Sequence, residues 1–345
     1  MSVSQAVGLA VFLVIAVGGI YLVKWQPYYL KGESVAVNHD LGKSILSGTS
    51  AASPRGWHAA LDYATSYGLS IWKAFVVGML LAAGIQELLP RDWLLRMFGS
   101  ARARSIGLGG LVAVPSMMCT CCAAPPAVAM ARSRASAGAT IAYWLGNPVI
   151  NPATIVFMGL VLGWRWAALR IVMGLVLVFG VAALAQRLAG QLRVPAAATA
   201  AADAALQPDS RPLVQRFVMT LARLAMFLIP EYVVIVLVLG AVRAFLFPAI
   251  SPGVGHALWL VILLAITGTL FVIPTAGEIP IIQTFLRFGL SSAGAGALMI
   301  TLPAVSLPSM IMVGQAIPKR IIILVGVSVA IAGLVTAGLA AALGL

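Results

Sequence analysis

Long runs of apolar residues dominate the chain, and short polar stretches separate one run from the next. Runs of about 20 residues suit helices that cross the hydrocarbon core of a bilayer, whereas barrel strands take about 10 residues of alternating polarity. The pattern therefore predicts an all-α polytopic membrane protein. The predicted full spans, about seven in number, are 5–23, 68–89, 135–163, 165–188, 213–247, 291–317 and 320–343.

Two further apolar stretches are interrupted by prolines and do not fit simple spans. They are 105–131, broken around Cys119–Pro126, and 255–288, broken around Pro274–Pro280. Proline removes a backbone donor, and irregular backbone at membrane depth is tolerated only where protein or a water-filled cavity satisfies it. We therefore expect two re-entrant helical hairpins, each with its turn near the membrane midplane.

The two irregular regions resemble each other, which predicts an internal repeat. The tripeptide Ser-Ala-Gly at 136–138 recurs at 292–294, an offset of 156, and the twin-proline segment 147–152 recurs as 302–308. If both hairpins are re-entrant, equivalent spans of the two halves run in opposite directions. An inverted-topology repeat whose discontinuous helices meet at the midplane is typical of secondary transporters.

The repeat divides the chain into four parts. They are an N-terminal span with a polar loop (1–66), a first transporter repeat (67–188), a linker rich in Ala, Pro, Asp and Gln (189–212) and a second transporter repeat (213–345). The polar loop of the first part is predicted over 24–66, directly after the first span.

The basic residues orient this arrangement in the membrane. With a cytoplasmic N-terminus, 13 of the 22 Lys and Arg residues lie in cytoplasmic segments and 8 in external ones, while Lys73 lies inside a span. The external group includes Lys24 and Arg170. Because cytoplasmic loops carry the excess of Lys and Arg in membrane proteins, the distribution favours this orientation.

The composition narrows the classes of protein further. Hydrophobic residues make up 61% of the 345 residues, charged residues 9%, and the mean hydropathy is +1.04. Soluble domains carry about 25% charged residues, so a soluble enzyme, a disordered chain and a disulfide-stapled domain are excluded. The net charge of +13 reflects Arg-rich loops rather than nucleic-acid binding. The lipid bilayer is the expected partner, and a homo-oligomer is compatible with the sequence.

The three cysteines of the chain, Cys119, Cys121 and Cys122, lie within four residues at the turn of the first hairpin. Thiolates are soft ligands for thiophilic metals and metalloids, so the cluster could bind a crossing substrate. The alternative is that the thiols pack as small hydrophobes. Neighbours this close rarely form a structural disulfide, and no resident metal is expected. Along an extended turn Cys119 and Cys121 face one way and Cys122 another, unless the turn is helical.

Polar side chains in the twin-proline segments are candidates for the substrate path. Asn147 and Asn151 are four residues apart and share a face if the helix continues, and Ser306 occupies the matching place in the second half. The prolines also free carbonyl groups of the preceding turn, which can coordinate a substrate. The alternative is interhelical hydrogen bonding or a simple kink.

Three charged residues within apolar segments are candidates for proton coupling or gating. Lys73 and Glu231 occupy equivalent positions of spans 68–89 and 213–247, and Glu278 lies in the turn of the second hairpin. Ionisable groups inside a membrane are costly and mark functional sites by default. Lys73 can alternatively snorkel to the interface, and the carboxylates can serve as caps or ion-pair partners.

These motifs in this order resemble the predicted-permease family that includes ArsP and YraQ, over about residues 65–345. The resemblance implies a multi-span secondary permease of the bacterial inner membrane. One branch of that family exports trivalent organoarsenicals, which makes Cys119, Cys121 and Cys122 candidate metalloid ligands. Cys122, a doubled proline at 125–126 and Asn147 depart from the family pattern, and this leaves the substrate class open.

The sequence therefore predicts a secondary active permease that exports a thiophilic solute, such as a trivalent organoarsenical or a soft metal or metalloid. Alternatives are a transporter of a small sulfur-containing anion, a membrane redox protein using Cys119 and Cys121 as a dithiol, and a passive channel. No enzymatic activity and no cofactor are predicted, and no ATP-binding glycine motif occurs in the sequence.

Overall fold

The computed structural model describes residues 3–42, 57–191, 211–246, 255 and 257–345, and within these ranges the chain is helical and contains no strand. The predicted all-α membrane fold with seven spans is confirmed. The described residues hold seven helical segments long and apolar enough to cross a bilayer: Val7–Asn38, Ala60–Glu87, Ala137–Val161, Trp164–Gly190, Leu213–Val242, Ser292–Val313 and Lys319–Ala342.

The helices fall into an N-terminal pair and two halves of similar order. The pair is α1 (Val3–Leu13) and α2 (Gln26–Asn38). The first half comprises α3 (Trp57–Glu87), α4 (Arg91–Phe98), α5 (Ala103–Ser116), α6 (Thr120–Arg132), α7 (Ala137–Val149), α8 (Pro152–Val161) and α9 (Trp164–Gln191). The second half comprises α10 (Leu213–Leu246), α11 (Leu258–Leu270), α12 (Glu278–Arg287), α13 (Ser292–Ala304), α14 (Leu307–Val313) and α15 (Lys319–Ala342).

The N-terminal span is longer than the sequence predicted. The expected polar loop over 24–66 is wrong for its first residues, because two π-helical turns at Val14–Gly18 and Tyr21–Trp25 lead directly into α2. Pro27 does not stop the helix, which continues through it from the π-helical turn Tyr21–Trp25 to Asn38. The helix ends at His39, which adopts a left-handed conformation.

The predicted hairpins correspond to two pairs of helices with non-helical breaks between them. The break between α5 and α6 covers residues 117–119, and that between α11 and α12 covers 271–277. Each break contains a non-glycine residue with positive φ, Met117 at 47° and Ala276 at 66°. Such backbone is uncommon and concentrates at functional sites. Entry of the hairpins from opposite membrane faces stays a prediction.

The twin-proline segments are also broken helices, and they match between the halves. Both α7 and α13 have 13 residues and begin after a serine whose side chain caps the helix, Ser136 and Ser291. Helices α8 and α14 then begin after Asn151 and Ser306. These capping residues lie 155 residues apart, one fewer than the offset of 156 between the two Ser-Ala-Gly tripeptides.

Packing repeats between the halves and places the breaks at the centre. Helix α7 contacts α5, α6 and α9, and α13 makes the equivalent contacts with α11, α12 and α15. Glycines allow the close approaches, with Gly109 against the carbonyl of Ala139 and Gly268 against the side chain of Thr301. The halves contact each other through α3 with α10 and α9 with α15, and beside the breaks through α6 with α14 and α8 with α12. Most of the predicted linker, over 192–210, lies outside the described residues.

Candidate functional site

The helix breaks of both halves surround one small central cavity. Its volume is about 10 Å³, which is room for roughly one water molecule. Its lining comes from the first hairpin, the second hairpin and the two twin-proline segments: Cys119, Thr120, Pro148, Ile273, Pro274, Thr275, Ala276, Glu278 and Pro303. The structure thus brings the predicted cysteine turn and the predicted Glu278 turn to the same place.

The cysteines pair differently from the arrangement expected for an extended turn. Helix α6 begins at Thr120, so the turn is helical and Cys119 lies at its N-cap. Residues three apart then share a face, and the sulfur atoms of Cys119 and Cys122 are 3.1 Å apart. Cys121 points elsewhere, with its sulfur 3.4 Å from the Ser306 hydroxyl. All three thiols are free and buried.

Ser306 joins the second half to the cysteine turn. Its hydroxyl lies 3.0 Å from the Thr120 hydroxyl and 3.1 Å from the Ser309 hydroxyl, and it forms a capping box with Ser309 at the start of α14. Ser306 and Asn151 therefore occupy matching positions, since each caps the second helix of its twin-proline segment. Ser306 also contacts the cysteine segment directly.

Asn147 stabilises the break of the first hairpin from within the protein. Its side-chain oxygen accepts hydrogen bonds from the Ser116 hydroxyl at 2.5 Å and from the Met118 backbone N–H at 3.2 Å. Its amide nitrogen donates to the carbonyl of Tyr143 at 2.9 Å. The oxygen thus holds α7 against the 117–119 break, while the nitrogen bonds within α7 itself.

Asn151 does not share a helix face with Asn147, as an uninterrupted helix would require. Helix α7 ends at Val149, and Asn151 instead caps α8 by accepting from the Thr154 backbone N–H at 3.2 Å. Its side-chain nitrogen is buried and has no hydrogen-bond partner within the described part of the chain. A ligand or water that reached α8 would find a free donor there.

A buried ion pair crosses the centre between the two halves. Arg170 of α9 donates to Glu278 at 2.6 Å, and the two side chains are 0% and 1% exposed. Arg170 also donates to the carbonyls of Pro148 and Val149 at 2.9 and 3.1 Å. The assignment of Arg170 to an external segment was therefore wrong. The carbonyls of the twin-proline segment, which we expected to be free for a substrate, accept hydrogen bonds from its guanidinium instead.

Lys24 is a second buried cation that the sequence patterns placed in a loop. Its side chain is 6% exposed, and its ammonium donates to the Thr275 hydroxyl at 3.0 Å and the Tyr28 hydroxyl at 3.5 Å. The ammonium would attract a negative charge on the Cys119 or Cys122 sulfur. The signal that could have revealed it is the continuation of aromatic and apolar residues past Lys24, up to residue 30.

Two of the predicted coupling residues lie away from the central cavity. Lys73 is exposed, with its ammonium 5.7 Å from the ring centre of Trp72. Glu231 is half-buried and accepts from the Gln315 side chain at 2.7 Å. The structure therefore does not bring these two residues together with Glu278.

Two larger cavities lie beside different parts of α3. A cleft of about 270 Å³, here called the vestibule, is lined by Ser66 and Ser70 of α3 and shares Pro274–Ala276 with the central cavity. An apolar cavity of about 570 Å³ lies beside Ile85 and Leu89, near the C-terminal end of α3. The central cavity thus adjoins the vestibule through the second hairpin turn.

Comparisons with known proteins cover nearly the whole chain. The model of the predicted-permease family ArsP_1 matches residues 2–145 and 117–338. UPF0718 protein YraQ of Escherichia coli (strain K12) is 47% identical over 331 residues, which cover 96% of this chain and 94% of that protein. No solved structure matches the chain. The similarity begins at the N-terminal span, ahead of the region around residues 65–345 that carries the motif resemblance.

Proposed function

This chain belongs to the predicted-permease family, and we propose that it is a secondary active permease of the bacterial inner membrane that exports a small thiophilic solute. The observation that carries the proposal is the central cavity. Residues of both hairpins and both twin-proline segments line it, including Cys119 from the first half and Glu278 from the second. The sulfur of Cys122 lies 3.1 Å behind that of Cys119. Discontinuous helices that meet at a central site are typical of secondary transporters.

The sizes of the cavities support alternating access. A central volume of about 10 Å³ is too small for a solute, so this conformation corresponds to a closed site. The vestibule adjoins the second hairpin at Pro274–Ala276, and movement of that turn would open the site to one side. Exchange of conformations between the two similar halves would then open it to the other side.

The sulfur geometry supports a thiophilic substrate. Because Cys119 and Cys122 lie 3.1 Å apart, both sulfurs can bind one soft atom. With a trivalent organoarsenical, two thiols would displace two hydroxyl groups, and each thiol proton would leave with a hydroxyl group as water. Cys121 contacts Ser306 instead, so we assign it a secondary role. This ranking differs from the one that an extended turn would give.

A resistance panel tests the proposal. A strain lacking the protein is challenged with arsenicals, antimonials, soft metals and sulfur oxyanions, with and without the chain. Cysteine to serine replaces a soft sulfur by a hard oxygen with little change of volume. We expect resistance to collapse in Cys119→Ser and Cys122→Ser and to weaken partly in Cys121→Ser. Full resistance in the triple serine variant at normal expression would show that the cluster only packs.

A small sulfur-containing anion is the second candidate substrate, and Lys24 favours it. The ammonium lies at the second hairpin turn, and its hydrogen-bond partners are the neutral hydroxyls of Thr275 and Tyr28. The sulfur oxyanions in the panel distinguish this candidate from a neutral metalloid.

A further inference from the structure

We propose that the N-terminal span is part of the transport site, and that Lys24 binds the negative charge of an anionic thiophilic substrate. This inference rests on the proposed permease function and narrows its substrate class to small anions. Neither the predicted repeat nor the predicted site included this span. In the structure, the side chain of Lys24 connects this span to the second hairpin turn.

The burial of Lys24 contrasts with the exposure of its own helix. In the most apolar stretch of Val7–Asn38, 11% of the residues are buried, against 83% in Ser292–Val313. The span therefore lies at the outside of the bundle, yet its lysine reaches Thr275 in the second hairpin turn. The neighbouring Trp25 donates to the carbonyl of Pro115 at 2.9 Å. This hydrogen bond connects the helical turn that carries Lys24 to the first hairpin.

The local backbone supports a specialised role for this position. Lys24 lies in the π-helical turn Tyr21–Trp25, and single π-helical turns within α-helices occur frequently at functional sites. The turn places the lysine inwards, while Tyr21, Leu22 and Trp25 stay exposed. A span that served only as an anchor would have no need to bury a charged side chain.

Within the described ranges of the chain, no carboxylate pairs with Lys24. The ion pairs among the described residues join Arg170 to Glu278 and Arg216 to Glu87, and neither includes Lys24. Since Glu278 is already paired with Arg170, the groups at the centre carry a net charge of about +1 when the thiols are protonated. A buried ammonium is costly without a counter-charge, so a bound monoanion would complete the site.

The approach to the site carries the same sign of charge. Lys31 is the one charged side chain among the described residues that line the vestibule, and no carboxylate lines it. Asp40 lies close enough to interact electrostatically with Lys31 but is not part of the lining. Thr275, which accepts a hydrogen bond from Lys24, lines both the vestibule and the central cavity. An anion entering the vestibule would therefore meet Lys31 first and would then reach Thr275, the hydrogen-bond partner of Lys24.

The test measures how the charge of a reagent affects its reaction with Cys119. The full-length protein with Cys121→Ser and Cys122→Ser is reconstituted in liposomes and treated with three methanethiosulfonates, carrying an anionic sulfonatoethyl, a cationic trimethylammonioethyl and a neutral methyl group. In each reaction the thiolate sulfur bonds to the reagent sulfur and methanesulfinate leaves. The rate with the neutral reagent normalises the others for access and for thiolate content.

We expect the ratio of anionic to cationic labelling to fall by about tenfold in Lys24→Met, because one unit charge near the thiol is lost. The ratio should be retained in Lys24→Arg, which keeps the charge, and in Lys319→Met, which removes an exposed cation at the start of α15. An unchanged ratio in Lys24→Met would overturn the anion site while leaving the permease function intact. Failure of all three reagents to reach Cys119 in any variant would contradict the permease function itself.

Discussion

The two oxygens of the Glu278 carboxylate have different surroundings. One accepts from the Arg170 guanidinium at 2.6 Å, and the other is buried without a hydrogen-bond partner among the described residues. A buried acceptor that lacks a donor favours the arrival of a proton or a water molecule. Glu278 also lines the central cavity beside Cys119. Among the three charged residues predicted to couple transport to protons, it is the one positioned to do so.

Glu278→Gln is therefore expected to abolish gradient-driven transport and to leave exchange of the solute intact, because glutamine keeps the shape but carries no proton. The measurement compares efflux driven by an imposed pH gradient with exchange at equal pH, in proteoliposomes, using the solute selected by the resistance panel. Glu231→Gln is the matched control and should behave like the unmodified protein, since Glu231 lies off the cavity. Normal gradient-driven efflux in Glu278→Gln would rule out the coupling role.

A second variant separates coupling from folding. Removing the Glu278 charge alone leaves Arg170 uncompensated in the interior, which destabilises proteins by about 3–5 kcal/mol. The double variant Arg170→Gln with Glu278→Gln removes both charges of the ion pair, so the net charge of the centre does not change. It is expected to fold, yet it should show the same loss of coupling.

At the scale of single residues, the sequence predicted Cys119, Ser306 and Glu278 as site residues, and the structure brings them to one place. The sequence patterns did not predict Lys24 or Arg170 as site residues. A lysine or arginine near the end of an apolar run can snorkel to the interface or turn inwards, and the sequence pattern is the same in both cases. The choice depends on partners far along the chain, such as Thr275 for Lys24 and Glu278 for Arg170.

At the scale of helices, Gly78 allows α3 to pack closely against the helical turn that carries the cysteines. A Cβ atom at Gly78 would overlap the carbonyl oxygen of Cys122 in the first turn of α6. Small residues allow such close approach of helix backbones in membranes. Gly68 lies in the same helix with no atom within 4 Å of the position that its Cβ would take.

Gly78→Ala should displace the first turn of α6 and separate Cys119 from Cys122. We expect a loss of stability on the order of 1–3 kcal/mol from overpacking, together with reduced resistance in the panel. Gly68→Ala is the control, and it should be tolerated or stabilise by up to about 1 kcal/mol because alanine favours helix. Thermal unfolding of both purified variants gives the comparison, and equal behaviour of the two would contradict the packing role of Gly78.

The helix breaks show what sequence patterns predict well and what they miss. Prolines marked both hairpins and both twin-proline segments, because proline disrupts helix hydrogen bonding whatever its surroundings. The pairing of Cys119 with Cys122 was missed, since it depends on α6 beginning at Thr120. That start is set by tertiary contacts, including the hydrogen bond from the Trp144 ring to the Thr120 carbonyl at 3.3 Å.

At the scale of the whole molecule, contacts at helix ends support opposite directions for the two halves. Arg165 in the first turn of α9 donates to the carbonyl of Leu343, just beyond the last turn of α15. Helix α9 therefore starts where α15 ends. Since α8 leads into α9 and α14 leads into α15, the α7–α8 segment runs towards that end of the molecule and the α13–α14 segment runs away from it. This arrangement is compatible with the predicted inverted repeat.

The burial of Lys24 and Arg170 also changes the charge balance. Both were counted among the eight external cations, and removing them leaves six against 13 on the predicted cytoplasmic side. The orientation with a cytoplasmic N-terminus is thus better supported once buried charges are set aside. In this orientation α4 lies on the cytoplasmic side, and the turn between α12 and α13 lies outside.

Labelling of single cysteines tests that topology. In the triple serine background, Ala101→Cys lies between α4 and α5 and Phe288→Cys lies at the end of α12, and both positions are exposed. An inverted repeat requires these sites to lie on opposite membrane faces, because each marks the base of one hairpin. A membrane-impermeant maleimide applied to intact cells should label Phe288→Cys and spare Ala101→Cys, which should react after the membrane is permeabilised. Labelling of both sites from outside would show that the hairpins enter from the same face, and the inverted arrangement would be wrong.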